Sequence, residues 1–131
     1  MSGKTILVTG GSRSGKSRYA LELAINTNDP KIFIATAEPL DEEMAERIKN
    51  HQNERGKEWT TVEEPLEPGN VLKTKGSQPC FIVLDCITLW LSNMLMKNMT
   101  RETILERVHA FVGECKTCVG DVVVITNELG S

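Results

Sequence analysis

The sequence predicts an α/β fold: a doubly wound, mainly parallel sheet with helices on both faces. Three observations predict it. Runs such as Ile6-Leu7-Val8, Phe81-Ile82-Val83-Leu84 and Val122-Val123-Val124-Ile125 are apolar throughout, as strands covered on both faces require. Helix-patterned segments alternate with them, which is the arrangement that parallel crossovers need. A glycine- and serine-rich turn, Gly10 to Gly15, joins the first strand to the first helix, where open sheets of this kind hold ligands.

The elements follow in order. Residues 5–9 read as a buried strand, and Lys16 to about Asn26 as a helix with Tyr19, Ala20, Leu23 and Ala24 on one face. Asp29-Pro30 ends that unit, and Ile32 to Ala35 is a second buried strand. After Pro39-Leu40, Asp41 suits an N-cap, Glu42 and Glu43 suit the first turn of a helix, and Gly56 stops that helix after Arg55. Trp59 to Val62 looks extended. Pro65, Pro68, Gly69 and Gly76 punctuate a loop region with one short helix around Val71 to Lys75. Phe81 to Asp85 is a third buried strand. The apolar segment 88–96 is helical, and a longer helix runs from Arg101 to Cys118 with Ile104, Val108, Phe111 and Cys115 on one face. Gly120 closes it, and Val122 to Thr126 is the fourth buried strand.

A length of 131 residues fits one domain, 1–131. The apolar fraction of 40% and charged fraction of 25% exclude a disordered or fibrous chain. A net charge of −3 argues against a general nucleic-acid surface. Cys115 and Cys118 form a CxxC, but Cys80 and Cys86 are spaced too widely to supply a matching zinc pair. All four therefore read as reduced thiols of a cytoplasmic protein. The most apolar stretch, residues 86–96, contains Ser92 and Asn93 and is about half the roughly 20 residues a membrane span needs.

Gly10-Gly11-Ser12-Arg13-Ser14-Gly15-Lys16-Ser17 matches GxxxxGK[ST] in full, with a strand before it and a helix after it. The fold is thus of the P-loop NTPase type. From average residue usage such a string arises by chance in roughly 4 of 1,000 chains of this length. Glycines let the backbone turn and aim its N–H groups at phosphate oxygens, and the helix N-terminus adds positive potential. Lys16 is expected on the β- and γ-phosphates and Ser17 on Mg²⁺. Asp85, at the carboxyl end of the third buried strand, is the expected second Mg²⁺ partner, directly or through a water. A GTPase switch is disfavoured. Asp85 has no DxxG glycine at position 88, and Asn127-Glu128-Leu129-Gly130 lacks the Lys and Asp of NKxD.

His109, mid-helix, reads as a surface residue. On the helix 41–55, Arg47, His51 and Arg55 are spaced i, i+4, i+8 and share a face. A neutral imidazole is a competent nucleophile toward phosphorus, and neighbouring guanidiniums favour the neutral form and stabilise a transferring group. Taken alone, such a basic face is more often solvated surface.

At this point the residues resemble a family. The run 6–17, Ile34-Ala35-Thr36-Ala37, the block from Asp41 through Arg47-Ile48, His51, Arg55 and Trp59 to Glu63-Glu64-Pro65, the segment 84–93 and Thr126-Asn127-Glu128-Leu129-Gly130 are similar, in order, to the bifunctional adenosylcobinamide kinase/adenosylcobinamide-phosphate guanylyltransferases. The resemblance covers essentially the whole chain and implies two activities in cobalamin assembly. One phosphorylates adenosylcobinamide with ATP or GTP. The other moves GMP from GTP onto that phosphate through a guanylylated histidine, giving adenosylcobinamide-GDP. It implies His51 and Lys16 as catalytic residues. It implies nucleotide contacts from Gly10, Gly11, Ser12, Arg13, Ser14, Gly15, Lys16, Ser17, Ala35, Thr36, Ala37, Gln52, Asn53, Glu54, Arg55, Glu63 and Asp85, with Ser17 and Asp85 on Mg²⁺. A homo-oligomer is also implied, with segment 88–96 as a candidate interface. Gly56 departs from the family, in which a proline is expected. Competing readings are another small-molecule or nucleotide kinase, in which His51 only binds phosphate, and a non-catalytic nucleotide-binding subunit. Because the chain stops just past the fourth strand, at Ser131, an incomplete C-terminal part of the domain is expected.

Overall fold

A computed structural model describes residues 3–10, 15–38 and 41–127; for Lys16, Ser17, His51, Glu54 and Asn127 the description is of the backbone alone. The elements are β1 (Thr5–Gly10), α1 (Lys16–Leu23) continued by a 3₁₀ turn (Ala24–Asn26), β2 (Lys31–Ala35), α2 (Glu42–Arg55), β3 (Trp59–Glu63), α3 (Pro68–Lys75), β4 (Phe81–Asp85), α4 (Ile87–Met96), α5 (Arg101–Thr117) and β5 (Val122–Asn127). The described strands form one all-parallel sheet in the order β1-β5-β4-β2-β3.

The pleat divides the apolar strand residues between two cores. On one face Ile32, Ile34, Ile82, Leu84, Val122 and Val124 pack under Leu72 of α3, Trp90 and Met94 of α4, and Phe111 and Cys115 of α5. On the other, Phe33, Val83, Val123 and Ile125 pack with Ala20 and Ala24. Each fully buried Val, Ile or Leu contributes roughly 1.5–3 kcal/mol, so β2, β4 and β5 hold the fold. Trp59 stands edge-on to both Phe33 and Phe81, at centroid distances of 6.2 and 6.3 Å.

One strand expectation needs correction, and another is borne out and extended by a residue. Among the described residues, 5–9 form an edge strand, not a buried one: exposed and half-buried residues alternate along β1, and Leu7 is 64% exposed. Leu7 pairs with Val124, on the face where the helices pack over β2, β4 and β5 and the core holds no residue of β1. Residues 59–63 are a full strand, paired to β2 from Lys31↔Trp59 to Ala35↔Glu63, at the opposite edge among the described residues. Its Thr-rich sequence suits an edge with one solvated side.

The ends of α2 follow the sequence. The Asp41 carboxylate accepts from the Met44 N–H at 2.7 Å, and Gly56 leaves the helix at φ +88°. Proline, held near φ −65°, cannot take that conformation, so the turn here is built on glycine in place of the proline expected from the resemblance. Gly15 caps α1 at φ +78°, the left-handed conformation that glycine adopts without a Cβ clash.

All four cysteines are buried and unbridged. Burial, followed by the neighbouring Cys118 sulfur, pushes the Cys115 thiol up to about 12. Burial raises Cys80 and Cys118 as well. His109 is exposed on α5. No helix among the described residues is long and apolar enough to cross a membrane.

Candidate nucleotide site

The carboxyl ends of the strands set out the site. Strand register aligns Val8, Ile125, Asp85, Ala35 and Glu63 in one row across the sheet, with Gly10 two residues beyond Val8 on β1. Asp85 and Glu63 are two strands apart, about 10 Å between Cα atoms. By the two-residue period both lie on the face of Phe33, Val83 and α1. The phosphate-loop helix and the two expected carboxylates therefore share one side of one sheet end. β5 lies between β1 and β4, and its Thr126 hydroxyl is 3.3 Å from that of Thr88 at the start of α4.

α2 reaches the same face. None of its described side chains is fully buried, so its attachment rests on its last turn. The Arg55 guanidinium carbon sits 3.6 Å above the centre of the Phe33 ring, and its Nη2 donates to the Thr61 hydroxyl at 3.0 Å. Gln52 Nε2 donates to the Glu63 carboxylate at 3.3 Å. Together these three contacts bring the helix turn that carries residue 51 against the ends of β2 and β3. Arg47, by contrast, lies outward, 3.8 Å from Glu43 in a largely exposed pair that contributes little.

On the opposite side, a hydrogen-bonded chain fastens the strand ends to α4. Thr36 is fully buried. Its backbone N–H donates to the Asp85 carbonyl at 3.0 Å. Its hydroxyl donates to the Cys86 carbonyl and accepts from the Cys86 N–H, both at 2.9 Å. Asn93 Nδ2 donates to the carbonyls of Thr36, at 2.7 Å, and Pro65, at 3.0 Å. Trp90 Nε1 donates to the Leu66 carbonyl at 2.8 Å.

The expected site residues thus separate. Gly10, Gly15, Ala35, Gln52, Arg55, Glu63 and Asp85 gather at one end of the sheet, with Asn53 exposed on α2. Thr36 is there too, fully buried and with its hydroxyl bonded to the Cys86 backbone. Gly11, Ser12, Arg13 and Ser14, and the side chains of Lys16, Ser17, His51 and Glu54, lie outside the described residues. Asn93 was not singled out from the sequence. The signal was available: it is a carboxamide inside an apolar helical run, and such a group needs partners when buried.

Known proteins match this chain along its length. The family model described as "Cobinamide kinase / cobinamide phosphate guanyltransferase" matches residues 6–131. The "Bifunctional adenosylcobalamin biosynthesis protein CobP" of Pseudomonas aeruginosa is 37% identical over 130 residues, covering 95% of this chain and 71% of that protein. The "Bifunctional adenosylcobalamin biosynthesis protein CobU" of Escherichia coli is 33% identical over 137 residues, covering 95% and 75%. The protein of the same name from Salmonella typhimurium is 34% identical with the same coverage. With a phosphate-loop sequence, a parallel sheet and a row of carboxyl-end residues, the chain belongs to the cobinamide kinase/cobinamide phosphate guanyltransferase family, a family of transferases.

Proposed function

We propose that this chain phosphorylates adenosylcobinamide with ATP or GTP and transfers GMP from GTP to the resulting phosphate, giving adenosylcobinamide-GDP. In the transfer, an imidazole nitrogen of His51 attacks the α-phosphorus of GTP. The bond to the β-phosphate oxygen breaks and pyrophosphate leaves. An oxygen of adenosylcobinamide phosphate then attacks the same phosphorus, and the P–N bond breaks. Two displacements through one nucleophile suit a site with one histidine near the strand ends.

The observation that carries this reading is the docking of the last turn of α2 onto β2 and β3 by Arg55, Phe33, Thr61, Gln52 and Glu63. It puts the helix bearing His51 on the face shared by α1 and Asp85. Lys16 is assigned to the β- and γ-phosphates, with the loop 10–17 donating its backbone N–H groups. Ser17 and Asp85 fit Mg²⁺, because a hydroxyl and a carboxylate are the hard oxygen donors it takes. When bound there, the ion would offset charge on the triphosphate. The chain is also read as a cytoplasmic homo-oligomer. Leu95 and Met96 of α4 are 64% and 71% exposed, which supports that face as the contact.

The test is steady-state pyrophosphate release with GTP and adenosylcobinamide phosphate, and nucleoside diphosphate release with ATP and adenosylcobinamide. Both should proceed catalytically, and Lys16→Ala should depress both. A wild-type chain that binds GTP without turnover would leave only a nucleotide-binding subunit.

A further inference from the structure

Two loops converge on the candidate site. Residues 36–38 follow β2, and residues 64–66 follow β3. Between them stands Asn93, in the second turn of α4. Its single side-chain nitrogen donates to the Thr36 carbonyl at 2.7 Å and the Pro65 carbonyl at 3.0 Å. Both partners are carbonyl oxygens, which only accept, so the amide nitrogen and not its oxygen must face them. Thr36 in turn holds Cys86 through its hydroxyl and the Asp85 carbonyl through its N–H. Glu64 donates its N–H to the Ala35 carbonyl at 2.9 Å. One carboxamide thus spans the segments leading from Ala35, Glu63 and Asp85.

We propose that Asn93 is a positioning residue of the transferase reaction, fixing the spacing between the loops after β2 and β3 and, through Thr36, the end of β4 that carries Asp85. This rests on the reading of those strand ends as the nucleotide site. Residue chemistry singles out asparagine. Two N–H donors on one planar nitrogen meet two acceptors from loops that approach from different strands. Aspartate has the same shape and no N–H. Leucine has neither donor nor acceptor. Misplacement of a substrate-bearing loop by about 1 Å can cost on the order of 10²-fold in rate, so loss of this tie should appear in turnover.

The experiment compares kcat, KM for GTP and Tm in wild type, Asn93→Ala and Val122→Ala. Val122 is fully buried at the start of β5, the other end of the sheet, so its truncation destabilises without touching either loop. If Asn93→Ala does not fold, Asn93→Leu takes its place, since it keeps a similar size in the helix, removes the donors and sets no charge against the two carbonyls. The expected result is a Tm lowered in both variants, with kcat reduced roughly 10- to 100-fold and KM for GTP within about threefold in the Asn93 variant alone. Asn93→Gln, which restores both donors, should recover part of the lost kcat. If the Asn93 variant keeps the kcat of Val122→Ala, the residue is structural only and the proposal is overturned. If wild type itself transfers no GMP, the functional reading beneath it falls, and the proposal with it.

Discussion

The Thr36 hydroxyl grips the Cys86 backbone twice, donating to its carbonyl and accepting from its N–H at 2.9 Å each. Because Thr36 is fully buried, removing the hydroxyl takes this acceptor from the Cys86 N–H, while the Cys86 carbonyl keeps the Trp90 N–H at 3.2 Å. Thr36→Val keeps the shape and deletes both bonds. It should destabilise the fold by about 2 kcal/mol, the usual cost of leaving a buried polar group unpaired. Thr36→Ser should lose much less. Urea denaturation of the three proteins checks this; equal midpoints for Val and Thr would show that the grip contributes nothing.

Arg55 tests how the histidine helix is held. Arg55→Lys keeps the charge but removes the planar group that lies over Phe33 and reaches Thr61. The expected loss is about 1 kcal/mol of stability, with a much larger loss in the yield of guanylylated protein, because α2 has no fully buried described side chain as a second hold. A variant that labels at the wild-type rate would mean that α2 is placed by something else.

The thiols give a pH dependence with a definite sign. In the unfolded chain they ionise from about pH 8.5 upward, whereas folding keeps Cys115 protonated up to about 12 and raises Cys80 and Cys118 too. Between these limits the unfolded state holds fewer protons, so stability falls as pH rises and is fully present below about 8.5. The urea midpoint should be lower at pH 10.5 than at pH 8, and Cys115→Ala should flatten that difference. At pH 8 the four thiols should resist alkylation in the native protein and react in denaturant.

Much of this architecture was legible because its signals are local. Asp41, Glu42 and Glu43 announce the start of α2 and Gly56 its end. The apolar run Phe81 to Leu84 marks β4, and the Asp that ends it arrives at the carboxyl edge as expected. An apolar run does not say where a strand sits in the sheet, however. Residues 5–9 look as buried as residues 122–126, yet among the described residues β5 alone pairs with β1, which lies at the sheet edge. Asn93 stands out as a carboxamide in an apolar run, but what it holds could not be read. Its partners lie 57 and 28 residues away, and no periodicity or capping rule within α4 encodes them. The same holds for Arg55, whose spacing suggested a shared face with His51 but whose guanidinium is stacked on a β2 phenylalanine.

The most direct test of the central claim uses GTP labelled in its α-phosphate. The protein is incubated with it in Mg²⁺, quenched in base, digested and mapped. One acid-labile GMP adduct is expected, on His51, that disappears in His51→Ala and is discharged by adenosylcobinamide phosphate. An adduct that persists in His51→Ala, or steady transfer of GMP with no adduct at all, would contradict it.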